Sequence, residues 1–409
     1  MGQPTRALAA LQSALERTDL AEYVVRDGGF VALPFVIGTV YLDLGDHDMA
    51  LAYFRRAAAQ AVGQHLPINA SFSLTTIAHL QLQQGHVEEA LATYRQAVEM
   101  NRKARYADGS AHACRSLGEA LVGLDRHEEA LPHLGEAAAL FAQLEDRANE
   151  AVMWRRLAAV HERLGAPEEA REAWGRVREL HRAAMDVAGE AEAAEGMARA
   201  ERRLPAAAEN VVARYEEALA LAARAGDRRR ELTLHNSLGI VHWERGAYAD
   251  AARHYEAALR LCRDAGDRVH EGLMLNSLGA TLHRLGRLDE ARTALGEGVR
   301  VTKETGERQL QAHALATLGE VCLASGRLDE AHSSVDASLA LRRALGDRRG
   351  EGWMFERLSR VRAAAGAHDA ARDAADAGLA IAHEIGDETL RAAVARLRSS
   401  TATTDSPNP

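Results

Sequence analysis

Apolar residues recur through most of the chain at a spacing of 40 residues. The spacing holds at every step except one, which is 41 residues between Met197 and Leu238. These nine anchor positions are Ile37, Ile77, Leu117, Leu157, Met197, Leu238, Leu278, Leu318 and Leu358. A fixed period of this length is typical of stacked repeats, because a single unit is too small to bury its own apolar face. The pattern therefore predicts about nine structural repeats.

Each period contains the signals of two helices separated by a turn. A glycine usually follows the anchor by eight residues, with Asp125 and Pro205 as the exceptions, and glycine ends a helix at little steric cost. An alanine comes five residues later, and four residues further on a larger apolar residue such as Tyr255 is usual, which predicts the buried stripe of a second helix. A second glycine followed by an acid, as at Gly266-Asp267, predicts the end of the unit and the start of the next helix.

This combination of positions resembles the tetratricopeptide repeat in its 40-residue variety. The segments Leu278-Gly279, Gly286-Arg-Leu-Asp-Glu-Ala291 and Ala344-Leu-Gly-Asp-Arg348 resemble repeat arrays of actinobacterial regulators and of kinesin light chains. The resemblance covers roughly residues 28–390. It implies an all-α fold, namely an α-solenoid wound as a right-handed superhelix of about nine helix–turn–helix repeats.

The repeats differ along the chain, which predicts several segments. Residues 28–184 form an N-terminal half-array of four looser repeats, and residues 228–390 form a C-terminal half-array of four repeats with the clearest pattern. Residues 185–227 form a degenerate repeat, because the turn glycine is replaced by Pro205 and the second-helix alanine by Asn210. This repeat is either a flex point between two half-arrays or simple drift within a continuous solenoid.

The two ends of the chain depart from the repeat pattern. In residues 1–27, Thr5–Glu16 has the pattern of a second helix that lacks a first, followed by a connection. A stack that starts on half a unit leaves an apolar side uncovered. We therefore expect either a longer parent chain or an edge covered by a partner, including a second copy. Residues 391–409 are predicted to be the end of a terminal helix and a disordered tail that starts at Ser399.

Composition narrows the class of protein. Hydrophobic residues make up 47% of the chain but aromatic residues only 4%, which favours closely packed helices over a β-sandwich. The net charge of −9 is spread over both signs without a basic tract, so a nucleic-acid surface has little support. No apolar run approaches a membrane span and no signal peptide is apparent, so we expect a cytoplasmic protein. Arginine almost replaces lysine, which suggests a bacterial, GC-rich source.

No catalytic motif is found in the sequence. Phosphate-binding loops, zinc-protease His-Glu-x-x-His motifs and nucleophile elbows are all missing. The cysteines Cys114, Cys262 and Cys322 are too far apart for metal-ligand spacing or a disulfide framework. We therefore predict a protein that is not an enzyme and that has no cofactor and no metal site.

Binding of a partner fits the sequence better than catalysis does. The first helix of each repeat would line the concave face of the superhelix, and the candidate binding residues lie there. Asn236 and Asn276 each lie two residues before an anchor, and the resemblance implies that asparagines at this position hold the main chain of a peptide. An amide offers two donors and an acceptor, which suit an extended backbone. The alternative is that these amides contact only their own neighbours.

Other candidate partner-binding residues lie at related positions. Arg115 and Arg155 occupy the equivalent position in earlier repeats, where they either form a carboxylate site or belong to a solvated stripe of charge. Trp243 and Arg284 lie near the concave rim, and Trp243 either binds a partner side chain or packs between repeats. Glu320 completes the candidate set.

These observations predict a protein–protein interaction scaffold that binds a peptide or helical segment in its groove. The partner is a protein or peptide, or another domain of a longer parent chain. The alternative is a ligand-sensing or regulatory arm of a larger bacterial transcriptional or signalling regulator.

Overall fold

The computed structural model describes residues 23–26, 29–204 and 210–402, and it divides the chain into two compact units, Met1–Ala208 and Glu209–Pro409. Within the described residues, nineteen helices follow one short hairpin. The helices of the N-terminal unit are α1 (Leu33–Asp43), α2 (His47–Gly63), α3 (Pro67–Gln83), α4 (Val87–Lys103), α5 (Ala107–Gly123), α6 (His127–Gln143), α7 (Arg147–Leu164), α8 (Pro167–Ala183) and α9 (Val187–Glu201). Those of the C-terminal unit are α10 (Val211–Ala225), α11 (Arg228–Glu244), α12 (Tyr248–Ala265), α13 (Arg268–Arg284), α14 (Leu288–Thr305), α15 (Arg308–Ala324), α16 (Leu328–Ala344), α17 (Arg348–Ala364), α18 (His368–Ile385) and α19 (Glu388–Ala402).

The predicted all-α solenoid is confirmed, because consecutive helices pack against each other as hairpins joined by short turns. In the N-terminal unit, α1 to α8 form four such pairs and α9 follows them. In the C-terminal unit, α10 precedes the four pairs from α11 to α18, and α19 follows. The degenerate repeat therefore falls across the division between the units. Residues 205–209, which include Pro205, lie outside the described residues, and a flex point there stays a prediction.

A short β-hairpin that the sequence pattern did not predict precedes the first helix. Strands β1 (Tyr23–Arg26) and β2 (Gly29–Ala32) are antiparallel, with Tyr23 opposite Ala32. The sequence pattern assigns these residues to a connection and to the start of the first repeat, which is wrong for the two strands. Valine and aromatic residues favour strands, and an Asp-Gly pair separates the two strands in the sequence. The leading helix predicted at Thr5–Glu16 lies outside the described residues.

The turn residues confirm the predicted breaks at the turns that the structure describes. Turn glycines such as Gly246 and Gly286 have φ values of 73° and 75°, and Asp125 takes the same left-handed conformation with φ 57°. At the second break, Gly266 has φ 68° and the side chain of Asp267 accepts a hydrogen bond from the backbone N–H of His270. Glycine ends one helix and aspartate caps the next, as the sequence predicted.

Small residues at fixed positions allow the two helices of a repeat to pack closely. The second-helix alanines are fully buried: Ala50, Ala90, Ala130, Ala170, Ala251, Ala291, Ala331 and Ala371. Gly279, directly after its anchor, lies under Leu295, and a Cβ at Gly279 would come within 2.5 Å of that side chain. Seven of the nine anchors are buried, whereas Met197 and Leu318 are half-buried.

The C-terminal end is covered by α19. Leu390 and Val394 on this helix are fully buried in a cluster with Ala375 and Ala382 of α18. The helix continues to Ala402, so residues 399–402, which the sequence assigned to a disordered tail, are helical, and residues 403–409 lie outside the described residues. Docking of the apolar side of α19 stabilises a helix that Ser and Thr residues alone would not sustain. No helix among the described residues has the length and apolarity needed to cross a bilayer.

Candidate partner-binding surfaces

The two candidate asparagines occupy equivalent positions on the first helices of neighbouring repeats, Asn236 on α11 and Asn276 on α13. Both are half-buried, and neither side chain makes a hydrogen bond to another residue in the described part of the chain. The Oδ1 of Asn276 is buried without a partner. The Nδ2 group of Asn276 is therefore the part of this amide that is available to a partner.

Trp243 and Arg284 are brought together by Tyr248, a residue that the sequence analysis missed. The Trp243 ring packs edge-on against Tyr248, with ring centroids 5.0 Å apart. Arg284 of the next repeat donates to the Tyr248 hydroxyl at 2.9 Å, and its guanidinium carbon lies 5.2 Å from the ring centroid. This is a cation–π arrangement, and it links two repeats at one edge. An aromatic residue two positions after a turn glycine was the available signal.

Arg115 and Arg155 do not share a ligand in the structure. Arg115, on α5, donates to Oδ1 of Asn149 on α7 at 3.0 Å. Arg155, on α7, lies 3.5 Å from a carboxylate oxygen of Glu192 on α9. Each arginine thus reaches the first helix of the following repeat. A carboxylate site formed by both side chains stays a prediction.

Glu320 pairs with Arg357 of the next repeat, at 2.7 Å between Oε1 and Nε. The neighbouring Glu356, at the position equivalent to the two asparagines, lies 3.9 Å from Arg360. Burial raises the pKa of Glu356 above its ordinary value. The first helices of the last two repeats therefore present both signs of charge, already partly paired.

Three histidines that the sequence analysis did not single out meet between α11 and α12. The Nδ1 atoms of His235 and His254 are 3.0 Å apart, and His242 stacks on His254 with centroids 5.3 Å apart. Burial and the neighbouring imidazoles lower the pKa of His254 to about 4, and burial lowers the pKa of His235. His235 and His242 are seven residues apart on one helix, which places them on one face.

The N-terminal unit contains an open cavity of about 630 Å³ between its second and third repeats. Its apolar wall includes Phe72, which is 61% exposed and whose ring contacts Phe35. Its polar wall includes His112 and the predicted residue Arg115. The sequence indicated Arg115 but not its apolar surroundings. Phe72 lies on α3, the first helix of its repeat, at a position that is not part of the repeat pattern.

Sequence profiles described as tetratricopeptide repeats match most of both units. One matches residues 32–103, 110–183 and 271–344, which together are more than half of the chain, and two others match residues 75–134 and 234–269. No curated protein matches the chain.

Solved structures share the fold at low sequence identity. A Signal Transduction ATPase with Numerous Domains that has a tetratricopeptide repeat sensor, from Pyrococcus horikoshii, is 14% identical with a TM-score of 0.59. The match covers 90% of this chain and 55% of that protein, so the chain spans about half of its length. The apo form of RapI is 11% identical with a TM-score of 0.57, and the match covers 91% of this chain and 97% of RapI. The apo quorum sensor NprR from B. thuringiensis is 12% identical with a TM-score of 0.50, over 84% and 99% of the two chains.

The fold and its repeated positions define a helix-pair repeat protein, the class whose members generally act as scaffolds for protein contacts. The chain belongs to the tetratricopeptide repeat family.

Proposed function

We propose that this protein is a non-catalytic scaffold of the bacterial cytoplasm that binds an extended segment of another protein along α11 and α13. The observation that carries this proposal is the pair of amides at Asn236 and Asn276. They lie at equivalent positions of adjacent repeats, half-buried and without a hydrogen-bond partner in the described part of the chain. An extended peptide presents backbone carbonyls at regular intervals, and amide N–H groups are the donors that bind them.

The surrounding side chains support a specific rather than a general contact. Trp243, Tyr248 and Arg284 form one aromatic and cationic cluster that spans the same two repeats. Tryptophan, tyrosine and arginine are the residue types that most often dominate binding energy at interfaces. We infer that the cluster takes an apolar side chain of the partner while the asparagines hold its backbone.

A displayed peptide library selected on the full chain tests this proposal. The affinity of the selected peptides is then measured for the wild type and for the double variant Asn236→Ala/Asn276→Ala. Two lost hydrogen bonds of about 1 kcal/mol each weaken binding about 30-fold. Thr293→Ala is the matched control, because Thr293 is exposed on the second helix α14 and its hydroxyl bonds only to Asp289 O of its own helix. Unchanged affinity in the double variant would show that these residues do not form the site.

The alternative is that the chain is the sensor arm of a larger regulator. It is favoured by the shared fold with a tetratricopeptide repeat sensor and with a quorum sensor. A sensor arm requires two conformations that the ligand binds with different affinities. Small-angle scattering with and without a saturating selected peptide separates the proposals: a changed radius of gyration supports the sensor, and an unchanged one supports the scaffold.

A further inference from the structure

Three metal-ligating side chains meet in the third repeat, although the sequence separates them by up to 22 residues. Cys114 is on α5, and His133 and Glu136 are on α6, one turn apart on the same face. Their ligand atoms all lie within 4.8 Å of one another, and no other group of three or more such side chains comes so close in the described ranges. Facing helices of a bundle are a common framework for metal sites.

The three side chains suit a borderline-soft divalent cation. Thiolate, imidazole and carboxylate are the ligand types of Zn²⁺, whose bonds of about 2.0–2.3 Å in a tetrahedron put ligand atoms about 3.5 Å apart. The three ligand atoms lie within 4.8 Å of one another, so they need to approach by at most about 1.3 Å to reach that arrangement. Three protein ligands leave the fourth position to a water molecule.

An unpartnered atom at the same place independently indicates a missing ligand. The Nδ1 atom of His133 is buried and has no hydrogen-bond partner. Buried polar atoms are nearly always paired, and an unpaired one requires an explanation such as an ion. A cation coordinated through Nδ1 of His133 would remove this deficit.

The surroundings provide both orientation and access. Arg102 of α4 donates through Nε to Glu136 at 3.0 Å and pairs with its second oxygen as well, which fixes the carboxylate. The Glu136 side chain is 32% exposed, so an ion has a path from solvent.

We propose that Cys114, His133 and Glu136 bind one divalent cation of the Zn²⁺ class. The three ligands show no metal-binding spacing along the chain, because two helices, and not one loop, supply them. This site lies in the N-terminal unit and does not depend on the peptide groove proposed for α11 and α13.

Titration of the full chain with Co²⁺, which has the same ligand preferences and absorbs light, tests the proposal. We expect one Co²⁺ per chain with a near-ultraviolet thiolate charge-transfer band, and a rise in Tm with Zn²⁺. Cys114→Ala abolishes the band and the rise. Cys322→Ala keeps both, because Cys322 is buried and lies 3.9 Å from Glu330 but has no histidine beside it.

A half-buried ligand provides a second variant if Cys114→Ala fails to fold. Glu136→Gln keeps the shape of the side chain and lowers Co²⁺ affinity at least tenfold while the band persists at high Co²⁺. Absence of a band in the wild type, its persistence in folded Cys114→Ala, or unchanged affinity in Glu136→Gln would each refute the site.

Discussion

The two units end their repeats with different residues. In the N-terminal unit the residues that close repeats in the left-handed conformation are His65, Arg105, Glu145 and Met185, with φ between 53° and 60°. In the C-terminal unit the equivalent residues are Gly226, Gly266, Gly306, Gly346 and Gly386. A side chain in this conformation costs about 1–2 kcal/mol, and glycine avoids that cost. The same fold therefore tolerates a strained turn when other contacts stabilise the repeat.

The cores also differ, and here it is the N-terminal unit that has the more continuous apolar packing. One apolar cluster runs through the N-terminal unit from Phe35 to Ala193 and includes Phe54, Phe141 and Trp174. In the C-terminal unit the described clusters are shorter, and the largest of them spans residues 232–321. Bulky aromatic side chains bury more apolar surface than the smaller residues at several equivalent positions of the C-terminal unit, such as Leu295 and Val335. We infer that the N-terminal unit offsets strained turns by continuous packing.

Truncation of a buried core side chain is expected to change stability most, and it tests the difference in packing between the two units. Phe141→Ala removes a fully buried ring and lowers the free energy of unfolding by about 3–5 kcal/mol. Hydrogen exchange is expected to accelerate along much of the continuous cluster, residues 35–193. The matched variant Leu295→Ala, equally buried, accelerates exchange mainly within residues 232–321. If exchange accelerated over equally long stretches of the chain in both variants, the difference in packing would be contradicted.

Turn substitutions have an intermediate effect. Gly266→Ala forces a side chain into φ 68° and lowers the free energy of unfolding by about 1–2 kcal/mol, measured by urea denaturation. Gly296→Ala is the control, and it is expected to raise the free energy of unfolding instead of lowering it. Gly296 is exposed within α14 with open space around its Cα, so alanine there stabilises the helix by about 0.5–1 kcal/mol.

In the N-terminal unit the opposite substitution, from a larger residue to glycine, tests whether the turns are strained. Met185 is 88% exposed with φ 56°, so Met185→Gly relieves strain without removing buried surface. The greater freedom of glycine in the unfolded chain reduces the gain to about 0.5–1 kcal/mol. A destabilised Met185→Gly would mean that the turn is not strained.

The histidine cluster predicts that the stability of the C-terminal unit depends on pH. His254 has a pKa of about 4 in the folded chain, against about 6.5 when unfolded. Between these values the unfolded state binds more protons, so stability is complete above pH 6.5 and falls as pH decreases toward 4. His254→Gln flattens this dependence. Urea denaturation at pH 7 and pH 5 measures it, and an equal loss in the variant would assign the dependence to other groups.

Part of the candidate site was predictable and part was not. The equivalence of Asn236 and Asn276 follows from their distance to the anchors, and the structure retains it on α11 and α13. The aromatic residue two positions after Gly246 could have marked Tyr248, but its contacts with Trp243 and Arg284 were not predictable, because they join three different helices. The metal-ligand group was missed for the same reason.

The sequence by itself determined the family, the helix pairs and their boundaries, because local periodicity and turn residues decide where a helix starts and stops. It also marked the fifth repeat as degenerate, and the division between the units falls there, between Ala208 and Glu209. Only the tertiary structure decided which side chains meet across helices, including the histidine cluster and Cys114 with His133 and Glu136. Such contacts depend on rotamers and on how closely two helices pack, and neither is encoded in a spacing along one chain.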